Sequence, residues 1–274
     1  MILRLKFVLI ALLGSLPLAG VLRAQAMYLS FTGGSTSATG GYNFTNNDSV
    51  TFPAGYAGAG ATFSGTNSLS ATSSPVVGSF TTSFWMNTTT AKNRGTQWYS
   101  GAGLVDHEEP GRTNDWGLSL LDRKVAFGIG SPENDVTVLS STSVTTGNWY
   151  FVTAVWEQST RAMSLYINGS LEATATSWTT NNRADTSSNL LYIGRDYADG
   201  ASSFYVGQLD EISIYPSAFN ASAVQSLYAS SVPEPAIAGL SFGVVALAVV
   251  GWARRQRRAT IEPLTKPTKA VLSC

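Results

Sequence analysis

The stretch LVDHEE sets Asp106 and Glu108 two residues apart. On a strand, side chains alternate between faces, so the two carboxyls would share one face about 6.5–7 Å apart, two rises of about 3.3 Å. Paired carboxyls at such a separation can serve glycoside hydrolysis, one as general acid and the other as base or nucleophile. They are also the oxygen ligands that calcium takes. The plainest reading is a solvated strand end, because Pro110 and Gly111 stop the strand at once. His107 is the only histidine, so a Ser-His-Asp or Cys-His arrangement would have one base and no supporting motif. The expectation is therefore no catalytic residue and no enzyme.

A third carboxylate raises a different question. In LDEISIY, strand alternation puts Asp210 on the face of Ile212 and Ile214. If the isoleucines face the core, Asp210 does too, and an inward carboxylate needs hydrogen-bond donors or a cation. The candidate metal ligands are accordingly Asp210, Asp106 and Glu108, for a structural calcium, with no cofactor required. Saccharide binding calls for aromatic platforms beside polar groups. Trp178 lies in the polar stretch SWTTNNRADTSS, and Tyr197 lies in RDYADGASS between Asp196 and Asp199. Trp178, Tyr197, Asp196 and Asp199 are the ligand-binding candidates.

The elements that must position these residues read as β. Phe80, Phe84 and Met86 alternate with Ser83, Trp85 and Asn87, and Val125, Phe127 and Ile129 repeat the period. In WYFVTAVWE both parities are apolar, which predicts a central strand covered on both faces. Asn168-Gly169 between strand-like runs predicts a two-residue type I′ hairpin. FNASAVQSLY predicts one short helix, capped by Asn220, with Val224, Leu227 and Tyr228 on one face. Many short strands between Gly, Ser and Asn turns indicate an all-β antiparallel sandwich or jelly roll. No internal repeat is present, and residues 32–70 are rich in Gly, Ser, Thr and Asn.

Both chain ends read as membrane-directed. Arg4 and Lys6, the apolar FVLIALL and Ala24-Gln25-Ala26 form a signal-peptide pattern over residues 1–26, with signal peptidase cutting before Met27. Residues 236–253 carry no charge and, as a helix of about 27 Å, would just span a bilayer core of about 30 Å. Arg254, Arg255, Arg257 and Arg258 follow, which marks the cytoplasmic side. The formal net charge of zero is thus an average over unlike parts. Between Met27 and Val232 eight basic residues face fifteen acidic ones, and 8 − 15 gives −7. Such a surface argues against nucleic acid, whose binders carry basic patches. The single cysteine, Cys274, lies beyond the arginines, so the exported part holds no disulfide and depends on a hydrophobic core.

Two resemblances add to this reading. The ordered blocks GSFTTSFWMNT, WYSGAGLVDHEE, NDWGLSLLDRKVAFGIG, GNWYFVTAVWEQSTRAMSLYINGSLEA and LLYIGRDYADGASSFYVGQLDEISIY resemble the laminin G-like, concanavalin A-like domains of bacterial exported proteins. The resemblance covers about residues 54–228. It implies a jelly roll of two antiparallel sheets, of a kind that sometimes holds calcium. Some glucanases of this fold carry Glu-x-Asp-x-x-Glu on a strand, a pattern missing here. Trp149-Tyr150 stands where the family usually has Trp-His, and Asn168 where it has an acidic residue. The second resemblance is VPEP, an apolar run and an arginine cluster, which looks like the PEP-CTERM sorting signal of Gram-negative bacteria. It implies that Pro233, Glu234, Pro235, Arg254 and Arg255 form a sorting motif read by an exosortase, after transient anchoring in the inner membrane. The family normally ends soon after the arginines, whereas this chain continues through residues 259–274.

The expected organisation is a signal peptide at 1–26, a loop-rich part at 27–53 with the first strand, the jelly roll at 54–228, a linker at 229–235, a transmembrane helix at 236–253 and a basic cytoplasmic tail at 254–274. The expected role is an exported binding or matrix module associated with polysaccharide, at the cell surface or outside the cell. The alternatives are a glycan hydrolase of the same fold and a purely structural, membrane-anchored surface protein.

Overall fold

The computed structural model describes residues 24–72, 75–90, 95–108, 115–130, 135–177, 190–197 and 203–233. In chain order the strands are β1 (Met27–Leu29), β2 (Thr45–Asn47), β3 (Ala61–Ser64), β4 (Ser68–Ala71), β5 (Phe80–Thr88), β6 (Ala102–His107) and β7 (Trp116–Leu121). They continue as β8 (Lys124–Ile129), β9 (Val136–Leu139), β10 (Tyr150–Glu157), β11 (Ala162–Ile167), β12 (Ser170–Thr176), β13 (Leu191–Ile193) and β14 (Val206–Tyr215). A single α-helix among the described residues, α1 (Ala221–Ser231), follows.

The strands form two sheets. The first runs β1-β14-β5-β10-β11-β12, with β3 also on β14, and the second runs β2-β4-β13-β6-β7-β8-β9. Every pairing is antiparallel. One buried cluster fills the space between them, with Phe80, Phe84, Met86, Val152, Trp156, Leu165 and Ile214 from the first sheet and Leu104, Trp116, Leu118, Phe127 and Ile193 from the second. Phe31, Phe44 and Val50 from the loop-rich beginning join it.

Local chemistry explains the elements. β10 lies between β5 and β11 and is buried on both faces: Val152, Ala154 and Trp156 point into the core, and Val155 packs outward with Tyr166, Tyr215, Phe219 and Val224. Its doubly apolar sequence follows from that position. Asn168 and Gly169 have φ of 51° and 75°, the two positive values of a type I′ turn. Asn168 also joins the hairpin to β10, since its Oδ1 accepts the Phe151 N–H at 2.8 Å and its own N–H donates to the Phe151 carbonyl at 2.7 Å. Asp122 and Arg123, at φ of 43° and 66°, make a second turn of the same kind between β7 and β8. Asn220 caps α1, its Oδ1 accepting the Ala223 N–H at 2.9 Å.

The alternation expected around Asp210 does not hold. The β14–β5 register shifts between Asp210 and Ser213, and Glu211 takes φ of 54°. That β-bulge inserts one unpaired residue, so Asp210 falls on the face opposite Ile212 and Ile214. It pairs with Trp85, on the outer side of the first sheet, and is nonetheless fully buried. No helix among the described residues is long and apolar enough to cross a membrane. The expected signal-peptide core and the 236–253 span lie outside the described residues.

Candidate functional site

Asp106 pairs with Gly117 across β6 and β7, and Gly117 with Gly128 across β7 and β8. Their strand neighbours Val105, Leu118 and Phe127 are in the core, so this row faces outward from the second sheet. Two glycines side by side leave a flat, bare floor, and Trp98 lies on it. A Cβ on Gly128 would come 1.7 Å from Trp98 Cδ1, and one on Gly117 would come 2.5 Å from Cζ3. The indole is pinned by its backbone: Trp98 N–H donates to Thr137 Oγ1 at 3.2 Å, and the Trp98 carbonyl accepts the Ser119 hydroxyl. Tyr99 follows it, packed edge-on to Trp98 at 5.7 Å and 37% exposed.

A loop forms the other wall. Gly103 of β6 lets the Arg195–Asp196 backbone cross the face, because a Cβ there would sit 2.1 Å from the Arg195 carbonyl carbon. The loop closes on itself through Asp196 N–H to the Ser203 carbonyl at 3.1 Å. Arg195 braces it by donating to the Asp196 and Tyr197 carbonyls at 2.8 and 3.0 Å, with its guanidinium over Tyr192 and Phe204. Tyr192 is the cross-strand partner of Asp106, and Tyr197 meets Tyr192 edge-on at 6.4 Å with 42% of its surface exposed.

Between these walls sit carboxyls out of water. Asp106 is 1% exposed, Asp196 1%, Asp115 4% and Glu108 6%. Asp106 and Glu108, expected at a solvated strand end, are therefore buried, because Trp98 and the Arg195 loop cover the face onto which those side chains point. Burial first, and then the neighbouring charges of Asp196, Glu108 and Asp115, hold the Asp106 carboxyl well above the usual carboxylate range. The Glu108 N–H, which donates to Asp106 Oδ2 at 3.1 Å, acts against that shift. His107 points the other way, into the core, stacked on Trp116.

The fold thus brings Asp106, Glu108, Asp196 and Tyr197 together. Asp210 lies on the opposite sheet, so the calcium candidates Asp106 and Glu108 are on one sheet and Asp210 on the other. Among the described residues no group of three or more His, Cys, Asp or Glu is gathered to hold a metal ion. Trp178, Asp199, Glu234, Pro235, Arg254 and Arg255 lie outside the described residues; Pro233 follows α1 directly after Val232. Sequence reasoning did not find Trp98, Tyr99, Asp115, Tyr192 or Arg195. The available signal was Gly117 and Gly128 within apolar strands, since a strand glycine marks close approach by another group.

A family profile for the concanavalin A-like lectin/glucanases superfamily, of laminin G type, matches residues 63–225. The chain belongs to this superfamily. A search of curated proteins returns no match. Among solved structures, domain 4 of AbnA, a GH43 extracellular arabinanase from Geobacillus stearothermophilus in complex with arabinotriose, superposes with a TM-score of 0.60 at 18% identity, covering 75% of this chain and 98% of that one. The binding domain of Paraclostridial Mosquitocidal Protein 1 gives 0.60 at 16% identity, covering 75% and 52%. The Botulinum neurotoxin serotype G binding domain gives 0.57 at 18%, covering 75% and 50%. This chain spans about half of each toxin domain, and at such identities the likeness of this superfamily member to all three is one of fold.

Proposed function

We propose that this protein is a non-catalytic carbohydrate-binding module whose site is the outer face of the second sheet. The observation that carries the reading is the pair of exposed tyrosines, Tyr99 and Tyr197, on the two walls flanking the buried Asp106. Flat rings take the C–H face of a sugar, and the tyrosine hydroxyls and exposed backbone groups beside them take its O–H groups. The arabinanase domain caught with arabinotriose supports this for the fold. Burial argues for binding over hydrolysis. A glycosidase needs two carboxyls facing an open cleft with room for the scissile bond, whereas the Asp106 carboxyl is packed against Gly117 and takes the Glu108 N–H.

The test is glycan-array screening, with arabinotriose included, followed by calorimetry on the strongest binder. Tyr99→Ala and Tyr197→Ala should each weaken binding about tenfold, the equivalent of ~1.4 kcal/mol. Trp178→Ala, from a polar stretch, is the third variant. Signals equal to the unsubstituted protein in Tyr99→Ala and Tyr197→Ala would remove this face from the binding reading, and release of reducing ends would favour the hydrolase.

The role extends to export and sorting. Signal peptidase removes residues 1–26, the 236–253 run holds the chain in the inner membrane, and an exosortase cuts near Pro233-Glu234-Pro235. The module then reaches the cell surface or its polysaccharide matrix. The sequence supports this through its two prolines, which keep that segment extended, and through arginines that hold the far end inside. Mass spectrometry of the protein from its host, with and without the exosortase, tests it: recovery of the 236–253 run in both strains would leave a permanent anchor instead.

A further inference from the structure

Asp210 and Trp85 are cross-strand partners on the outer face of the first sheet, away from the site above. A small loop closes over them. Gly55 N–H donates to the Gly58 carbonyl at 2.8 Å, Gly60 N–H to the Pro53 carbonyl at 2.9 Å, and Ala54 bridges to Ala59. Its backbone comes down on the carboxylate, so that a Cβ on Gly55 would lie 2.6 Å from Asp210 Oδ2. That oxygen accepts the Ala57 N–H at 2.9 Å, and the other accepts the Glu211 N–H at 2.9 Å. The loop carries one large side chain. The ring of Tyr56 lies flat on Trp85, with centroids 3.6 Å apart and planes 15° from parallel. Trp149 stands edge-on to Tyr56 at 5.7 Å, while Phe151 and Tyr228 flank Trp85 at 5.1 and 6.0 Å. Trp85 is 3% exposed, and its Nε1–H, fully buried, has no hydrogen-bond partner among the described residues.

A buried indole N–H without an acceptor is costly, and Trp85 shares that state with Trp98, Trp116 and Trp156; of these, it is the one with a tyrosine ring from a surface loop laid flat on it. We propose that Tyr56 is the resident plug of a second saccharide site, floored by Trp85 and walled by Trp149, Phe151 and Tyr228. When the loop lifts, it uncovers a flat indole face the size of one sugar ring, the Nε1–H donor, and the Asp210 oxygen released from Ala57. Those three are what one pyranose unit requires: a surface for its C–H face, a donor for a ring hydroxyl oxygen and an acceptor for a hydroxyl hydrogen. Among the described residues the charges acting on that position, Asp210 and Glu211, are both negative, so the site takes a neutral hexose and rejects uronic or sialic acid units. This site is separate from the tyrosine-flanked face and stands without it.

The experiment uses the full chain in a non-glycosidic detergent, in a Tyr99→Ala/Tyr197→Ala background so that the first face does not contribute. Cellohexaose, maltohexaose and a galacturonic acid hexamer are the probes, measured by calorimetry. Removing the plug with Tyr56→Ala should tighten binding of at least one neutral hexaose tenfold or more, and leave the uronic acid hexamer unbound. Adding Asp210→Asn should reverse most of the gain. In the protein with Tyr56 intact, hydrogen exchange of the Tyr56 and Ala57 amides should be faster than that of Phe84 and Met86, and should accelerate further when the neutral hexaose binds. A folded Tyr56→Ala variant that binds neither hexaose more tightly would overturn the proposal. So would Tyr56 and Ala57 amides that exchange as slowly as β5 and ignore the sugar, a result that stands even if every variant misfolds.

Discussion

At the scale of single residues, the outer face of the second sheet depends on side chains that are absent. Gly128 has no room for a methyl group, since Trp98 Cδ1 occupies the place of its Cβ at 1.7 Å. Gly128→Ala must push the indole off its floor. The expected cost is about 1–3 kcal/mol, in the range of overpacked sites, read as a lower denaturant midpoint together with a red-shifted tryptophan emission. A midpoint unchanged from the unsubstituted protein would mean that Trp98 does not rest there. The carboxyls of this face were half legible. Asp106 and Glu108 stand out in LVDHEE because a two-residue spacing has a meaning on any strand. Asp115 did not stand out, because it reaches them only through the register of β6 with β7, and register is a property of two strands. Tyr99 sits in a single 3-10 turn, Trp98–Ser100, whose sequence has no period to detect.

At the scale of elements, hairpins and the central strand could be read because each has a local cause. Asn168-Gly169 is a turn by steric preference, and the two-sided apolarity of β10 reports burial on both faces. Asn168 does two things, accepting positive φ and offering Oδ1 to Phe151 N–H. Asn168→Ala should therefore cost about 1–2 kcal/mol by combining backbone strain with a lost hydrogen bond, whereas Asn168→Gly should recover the strain portion. Equal losses for the two variants would show that conformation does not matter at this turn. The bulge at Glu211 was only partly legible. In LDEISIY two polar residues, Asp210 and Glu211, separate Leu209 from Ile212 and break the alternation, but nothing in them announces that β14 exchanges β3 for β1 as a neighbour halfway along. The irregularity belongs to that exchange of partners, which is long range. Its effect is to turn Asp210 from the isoleucine face to the side where the Tyr56 loop lies.

At the scale of the whole molecule, buried acids set the response to pH. The Asp210 carboxyl is moved from 3.8 to about 6, first by burial and then by the charge of Glu211, against the N–H donors of Ala57, Glu211 and Tyr56. A carboxyl that binds its proton more tightly in the folded chain contributes stability fully below pH 3.8 and loses it as pH rises through about 6. Asp106 is shifted the same way. Glu157 and Glu172 are shifted the opposite way. The Ser159 N–H leads for Glu157; for Glu172 burial opposes the shift, but hydrogen bonds from Ser141 and Thr142 outweigh it. Their contribution is present above 4.5 and disappears in acid. The melting temperature should therefore climb by a few degrees from about pH 7.5 to about pH 5, at roughly 2–4 °C per kcal/mol for a domain of this size, and turn down below about pH 4.5. Asp210→Asn should flatten the upper limb; a flat or falling curve from pH 7.5 to 5 in the unsubstituted protein would contradict the assignment. One further consequence follows from the pairing of β1 with β14, Met27 against Ile214. The first strand has to wait for the last. While the chain is being made, Met27, Leu29 and the open side of β5 have no partner until nearly the whole domain is available. Because such distant contacts form slowly, the polypeptide stays open for longer than a protein built from local contacts.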